Sequence, residues 1–355
     1  MCKMPFEVLE KLRDLGEMHV KLMEVCGTHT MSIAKAGIRS LLPEGVELLS
    51  GPGCPVCVTP AEVIDAVLEL AMEKDLILTS YGDMIRVPGS RPGDSLQRRR
   101  ALGADVRMVY SPIDAIDIAE RYPEKQIVFL GVGFETTAPG TAAAVLTAQE
   151  RGVKNFTVWS MLKTVEPALR ALLALPDFQI NGFLCPGHVA TIIGAEAFRF
   201  LPEEYGLPAV VGGFETEEIL TAVYWLLRQL KDGEPWLQNA YPQAVAPRGN
   251  ALAQQVIEQC FTPRYDLWRG LGGIENSGLG FRGEYAAFDA EQRFPITVSS
   301  EEAPTACRCG EVICGRIRPQ ECPLFGKRCT PEDPVGPCMV SSEGACAAAE
   351  KYMEI

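Results

Sequence analysis

The seven residues Gly51-Pro52-Gly53-Cys54-Pro55-Val56-Cys57 constrain this chain more than any other stretch. The apolar run Val46-Glu47-Leu48-Leu49 leads into them like a strand. Two glycines and two prolines then force a fixed, exposed turn. Thr59 and Pro60 read as the N-cap and first position of a following helix. The turn carries two thiols at a strand end, at the mouth of a helix. The amino end of a helix lowers a thiol pKa, and a Cys-x-x-Cys spacing lets the pair close a disulfide or grip a soft metal. The bland alternative is two buried cysteines in a tight turn, although a core does not require two thiols between prolines.

The remainder of the chain reads as alternating strands and helices. Residues 6–24 have the apolar spacing of an amphipathic helix, ending at the word Cys26-Gly27-Thr28-His29-Thr30. Gly27 allows an unusual backbone angle there. A thiolate and an imidazole three apart can share a metal or a proton. Short apolar runs at 76–79, 106–110, 126–130, 156–159, 180–184 and 209–212 read as strands, with helices between them at 60–73, 112–121 and 217–231. The word Gly-Phe-Glu-Thr follows two of these strands, at 133–136 and again at 213–216. Glu135 or the helix beside it is a candidate for binding a charged group, with Thr136, Thr137 and Thr141 as capping residues otherwise. Cys185 and His188 form a similar, ambiguous pair, and Cys2 and Cys260 carry no evident chemistry.

Strands alternating with helices imply parallel sheets, and the expected class is α/β: two small parallel-sheet domains around a cleft, plus an irregular C-terminal domain. The expected partition is an N-terminal helix and Cys-Gly-Thr-His loop at 1–41, α/β domains at 42–113 and 114–225, a linker with helices packing back on the first domain at 226–294, and a cysteine-rich domain at 295–355. The strand-end words should border one shared cleft.

Seven of the thirteen cysteines fall within 295–346, where prolines are frequent and periodicity is lost. Such a segment barely builds a core, so a metal or a redox staple is implied. Zinc sites favour two close cysteine pairs, whereas these thiols are spread out and suit a 4Fe-4S cluster at least as well. The net charge of −13 argues against nucleic acid or an anionic membrane as partner. No eighteen-residue apolar run or secretory leader is evident in the sequence, so a cytoplasmic location is expected, where cysteines serve metal or redox work.

Together these words resemble one family. Cys-Gly-Thr-His-Thr (26–30), Gly-Pro-Gly-Cys-Pro-Val-Cys (51–57), Tyr-Gly-Asp-Met-Ile-Arg-Val-Pro-Gly-Ser (81–90), Gly-Phe-Glu-Thr-Thr-Ala-Pro (133–139) and Pro-Gly-His-Val (186–189) occur in order. Cys-Pro-Leu-Phe-Gly-Lys-Arg-Cys-Thr-Pro (322–331) and Cys-Met-Val-Ser-Ser-Glu-Gly-Ala-Cys (338–346) follow. The set closely resembles the HypD family of NiFe-hydrogenase maturation factors. The resemblance implies a scaffold with thiol redox activity that helps build the Fe(CN)2CO unit. The scaffold would share iron with the small partner HypC and receive cyanide from HypE, as a monomer entering a hetero-complex. It further implies a 4Fe-4S cluster on Cys307, Cys322, Cys329 and Cys346, whose intervening gaps of fourteen, six and sixteen residues match the family pattern. Cys309 and Cys338 match a second redox pair, and Cys314 matches no part of it. Cys26 is then the expected ligand of the cargo iron, His29 a neighbouring proton-handling group, and Cys54 and Cys57 a pair cycling between dithiol and disulfide. A cluster-dependent disulfide reductase acting on a protein, or a zinc-stapled interaction module, are the rival readings.

Overall fold

The computed structural model describes residues 4–299 and 305–352 of the chain; Cys2 lies outside them. Nine strands form two parallel sheets: β1 (Val20–Glu24), β2 (Val46–Ser50), β3 (Leu76–Ser80), β4 (Asp105–Met108), β5 (Gln126–Gly133), β6 (Phe156–Leu162), β7 (Gly182–Pro186), β8 (Ala209–Gly212) and β9 (Leu237–Asn239). The first sheet has the order β2-β1-β7-β8-β9 and the second β4-β3-β5-β6. The fold is α/β, with an irregular cysteine-rich block at its C-terminal end.

Side-chain alternation along the strands builds three layers of core. Leu22, Leu48, Leu184 and Val210 face outward from the first sheet, onto helix Thr216–Asp232 and the N-terminal helix Met4–Asp14. Ile77, Ile127, Phe129 and Phe156 face outward from the second, onto helices Pro112–Arg121 and Ala138–Glu150. The alternate residues Met23, Leu49, Phe183, Leu78, Val128 and Trp159 share one central core with cysteines of the C-terminal block. Sheets covered on both faces need strands that are apolar on both faces, and β3, β6, β7 and β8 are buried throughout.

Three expectations need correction. The helix expected over 6–24 stops at Asp14, and Val20–Glu24 is a strand. Gly16 at φ +81° breaks the helix. Pairing of Val20–Glu24 with β2 on one side and β7 on the other then overrides the helical period. The expected boundary at 113/114 cuts through a single sheet, because β3 and β4 pair into the same sheet as β5 and β6; the first sheet in turn joins residues 20–50 to 182–239. The glycine-rich stretch 270–283 is half of an antiparallel hairpin, β10 (Phe261–Trp268) and β11 (Gly272–Phe281). It lies against β6 at the edge of the second sheet: Ser160 Oγ donates to Leu279 O at 2.5 Å, and the ammonium of buried Lys163 pairs with Asp266 at 2.9 Å. The segment 232–250 holds β9 as well as loop. Smaller shifts also occur. Helix Ala61–Leu70 has Pro60 at its N-cap, and Thr59 donates to Pro55 O at 2.9 Å instead of capping.

Candidate functional site

The site gathers at the carboxyl ends of the first sheet's strands, where an open α/β sheet leaves its crevice. β1 ends at Glu24, and Cys26 is the N-cap of helix Gly27–Lys35. Glu24 is wholly buried beneath this turn. Its carboxylate accepts from Cys26 N–H at 3.0 Å and from Thr30 Oγ1 at 2.5 Å, and burial pushes its pKa up to about 7. Cys26 is itself buried, and burial pushes its thiol up to about 12 despite the nearby amides of His29 and Thr28.

The turn that follows β2 is pressed onto this cysteine. A Cβ on Gly53 would stand 2.2 Å from Cys26 N and 2.5 Å from its Cα, so only glycine allows the approach. Gly27 N–H donates to Gly53 O at 3.0 Å across the contact. Cys54 and Cys57 are joined as a disulfide, with Cα atoms 5.2 Å apart, and Cys57 N–H points at Cys54 Sγ at 3.1 Å.

A loop of the C-terminal block closes over both. Ser341 Oγ lies 3.4 Å from Cys54 Sγ. Glu343 sits on Gly27, where an added Cβ would meet its Cβ at 2.3 Å. The Glu343 carboxylate accepts from Thr28 Oγ1 at 3.2 Å; burial pushes its pKa upward, with the charge of Asp83 acting the same way. Asp83, after β3 of the second sheet, accepts from Ser341 Oγ at 3.1 Å, Ser342 N–H at 2.9 Å and Ser342 Oγ at 2.8 Å. Arg86 on the same turn donates to Pro331 O. The words at 26–30, 51–57 and 81–86 thus meet through residues 341–343, and Thr28 extends the contact to His188, whose Nδ1 is 3.5 Å away.

The two histidines flank one ring. His29 and His188 both stack on Phe214, with ring centroids at 4.6 and 3.8 Å. His29 Nε2 donates to Gly213 O at 2.8 Å, and its buried Nδ1 has no partner among the described residues. Burial pulls its pKa down to about 4, so it is a neutral imidazole anchoring the Cys26 helix to the turn after β8. His188 is exposed. Cys185 is fully buried beside them, and burial pushes its thiol up.

In the C-terminal block, helix Ala345–Tyr352 packs on helix Gly27–Lys35. The thiols of Cys307, Cys309, Cys338 and Cys346 lie close enough, each to the next, to interact, and Cys329 lies close enough to feel Cys307 and Cys322. Val335 N–H donates to Cys329 Sγ at 3.3 Å. A Cβ on Gly336 would stand 2.3 Å from Cys307 Sγ, so the backbone there leaves the sulfur room. Among the described residues no three His, Cys, Asp or Glu side chains are closed into a metal-coordinating group. The donor chemistry of six neighbouring thiols, with a backbone amide on one sulfur, nevertheless fits an iron–sulfur cluster. Cys314 is accounted for structurally: its thiol donates to Gly270 O at 3.4 Å, where the backbones of Gly270 and Gly310 touch.

Glu135 bonds to a different element. Its Oε1 accepts from Val165 N–H at 2.8 Å, at the start of helix Val165–Leu173, and its buried Oε2 has no partner among the described residues. Burial pushes its pKa up to about 7. The echoing Glu215 does something different: it is the N-cap of helix Thr216–Asp232, in a capping box with Glu218. Thr137 is an N-cap without a side-chain cap bond. Glu24, Asp83, Ser341 and Glu343 carry no expected role. Asp83, Ser341 and Glu343 lie inside the motifs 81–90 and 338–346, whose polar residues are the signal available for them.

Fold and site together define a thiol-rich α/β protein that sets a single cysteine, a Cys-x-x-Cys bridge and a cysteine-dense block at one sheet end. The sequence model of a family described as "Hydrogenase formation hypA family", HypD, matches residues 3–353. The chain is 44% identical to the hydrogenase maturation factor HypD of Rhodobacter capsulatus, over 95% of its own length and 90% of that protein. It is likewise 44% identical to HypD of Escherichia coli (strain K12), covering 98% of this chain and 95% of the relative, and 45% identical to HypD of Azotobacter vinelandii, covering 94% and 89%. This chain belongs to the HypD family of hydrogenase maturation factors. No helix among the described residues is long and apolar enough to cross a membrane.

Proposed function

We propose that this protein is the scaffold on which the Fe(CN)2CO unit of NiFe-hydrogenase is assembled, in the cytoplasm and in complex with HypC and HypE. The observation that carries the proposal is the contact of Gly53 with the Cys26 backbone. It sets a lone thiol beside a redox-type disulfide, under a loop of the cysteine-dense block. Cys26 holds the cargo iron, because low-spin iron bearing cyanide and carbon monoxide favours thiolate over the carboxylates of this acidic chain. HypC supplies a further cysteine to that iron, and HypE delivers the cyanide. His29, neutral and tied to Gly213 O, orients the Cys26 helix.

Cys307, Cys322, Cys329 and Cys346 would hold a resident 4Fe-4S cluster, which when bound supplies single electrons. Cys309 and Cys338, neighbours in the same block, form a second thiol pair. Cys54 and Cys57 cycle between disulfide and dithiol by thiolate exchange. Neighbouring thiols in the block and a disulfide at the sheet end also suit a second reading, an iron–sulfur-dependent disulfide reductase acting on a protein.

Infrared spectroscopy of anaerobic protein purified with HypC separates the two. The scaffold gives cyanide and carbon monoxide bands, and Cys26→Ala abolishes them while keeping the fold and the iron–sulfur chromophore. Undiminished bands in Cys26→Ala would move the ligand to another residue. Reduction of a protein disulfide with no such bands in the wild type would establish the reductase.

A further inference from the structure

We propose that Asp83, acting through Ser341, is the proton relay of the Cys54–Cys57 pair. The inference rests on reading that pair as redox-active. Disulfide exchange runs through the thiolate, so a buried pair needs a route for its proton. Cys54 and Cys57 are both nearly inaccessible, at 5% and 2% exposure. Solvent therefore serves them poorly, and a hydrogen-bonded path is required.

The structure supplies one path at Cys54. Ser341 is buried, with its Oγ 3.4 Å from Cys54 Sγ and 3.1 Å from Asp83 Oδ2. Asp83 is only partly buried, so its carboxylate connects the path to water. While the disulfide is closed, sulfur carries no proton and Ser341 O–H donates to Asp83. Once it opens, Cys54 S–H donates to Ser341 Oγ along the same line. A concerted shift then places the proton on Asp83 and leaves Cys54 as thiolate, steadied by Cys57 N–H at 3.1 Å. The charged groups around Asp83 are Glu343 on the facing loop and Arg86 on its own turn, the latter engaged with Pro331 O.

The step balances with a small disulfide as oxidant. Cys54 thiolate bonds to one sulfur of the oxidant, whose S–S bond breaks and releases a thiolate. Cys57 then attacks Cys54 Sγ, the protein disulfide forms, and a second thiolate leaves. The two protons lost by Cys54 and Cys57 end on the two released thiols, the first by way of Ser341 and Asp83. Reduction by a dithiol is the same path reversed.

Docking alone would also explain three hydrogen bonds onto Asp83, and one variant separates the roles. Ser342→Ala removes a donor to Asp83 but lies off the path to Cys54. The test is the rate at which pre-reduced protein closes the Cys54–Cys57 disulfide with glutathione disulfide, from pH 5 to 9, with thermal melts confirming that each variant is folded. At pH 7 Asp83→Asn and Ser341→Ala should close roughly tenfold more slowly, and their rates should climb with pH as for a thiol deprotonated by solvent, with a midpoint near about 8.5, while the wild-type rate is flatter. Ser342→Ala should follow the wild type. The relay is overturned if Asp83→Asn and Ser341→Ala superimpose on the wild type, if Asp83→Asn closes faster, or if Ser342→Ala shifts as far as they do. A wild-type pair that neither closes with glutathione disulfide nor opens with dithiothreitol would instead remove the redox reading, and the relay with it.

Discussion

Replacing Gly53 by alanine tests the central contact of the site most directly. The added Cβ would sit 2.2 Å from Cys26 N, 2.4 Å from Val25 C and 2.5 Å from Cys26 Cα. All three are backbone atoms held in or just after β1, so no side chain can swing aside. Non-bonded carbon comes no nearer than about 3.0 Å, so the turn must retreat by roughly 0.8 Å. The Gly27 N–H to Gly53 O bond, now 3.0 Å, would then stretch beyond hydrogen-bond range. Overpacking of this size costs about 1–3 kcal/mol and should lower the melting temperature by about 2–12 °C, at about 2–4 °C per kcal/mol for a large domain. Function should suffer far more, because a displacement of about 1 Å between reacting groups can cost about a hundredfold in rate. The assay is hydrogenase activity in cells lacking their own HypD and supplied with the variant, beside a calorimetric melt of the purified protein. Gly140→Ala is the control: it lies in helix Ala138–Glu150 with no heavy atom within 4 Å of its would-be Cβ. It should mature hydrogenase normally and gain about 0.5–1 kcal/mol. Full maturation by Gly53→Ala, or equal loss in Gly140→Ala, would refute the close approach of turn and cysteine as the basis of function.

Three further outcomes are expected. Glu135→Gln should change the pH dependence of stability: burial raises this carboxyl from 4.5 to about 7, so its ionisation costs folded protein stability as pH climbs through that window. Relative to wild type the variant should gain about 2–3 kcal/mol between pH 5 and 8 in urea titrations, and parallel curves would place the titration elsewhere. Cys322→Ala should lose the iron–sulfur chromophore and leave residues 305–352 more open to hydrogen exchange, since a bound metal supplies local folding energy; normal iron content would exclude Cys322 as a ligand. Lys163→Ala strips Asp266 of its buried partner and should destabilise by about 3 kcal/mol, with exchange rising first in the β10–β11 hairpin.

The sequence by itself determined which chemistry is present and which local units carry it. Helix Pro112–Arg121 stands at the residues expected of it. The strand entering Gly51–Cys57 and the parallel α/β class were equally legible, because alternation and turn chemistry are short-range. Tertiary structure decided what lies farther apart in the chain. Val20–Glu24 has a helical spacing yet is a strand, because it sits between β2 and β7, which the chain reaches more than twenty and more than one hundred and fifty residues later. Two copies of Gly-Phe-Glu-Thr look alike, but Glu215 caps its own helix while Glu135 reaches a helix that begins at Val165. Cysteine spacing proposes a metal block without saying what it covers. Ser341 and Glu343 gain meaning only because helix Ala345–Tyr352 docks on helix Gly27–Lys35 and brings them onto Cys54, Asp83 and Thr28. Those contacts span more than two hundred and fifty residues of sequence. Only burial of a shared core between the two sheets fixes them, and no local propensity encodes it.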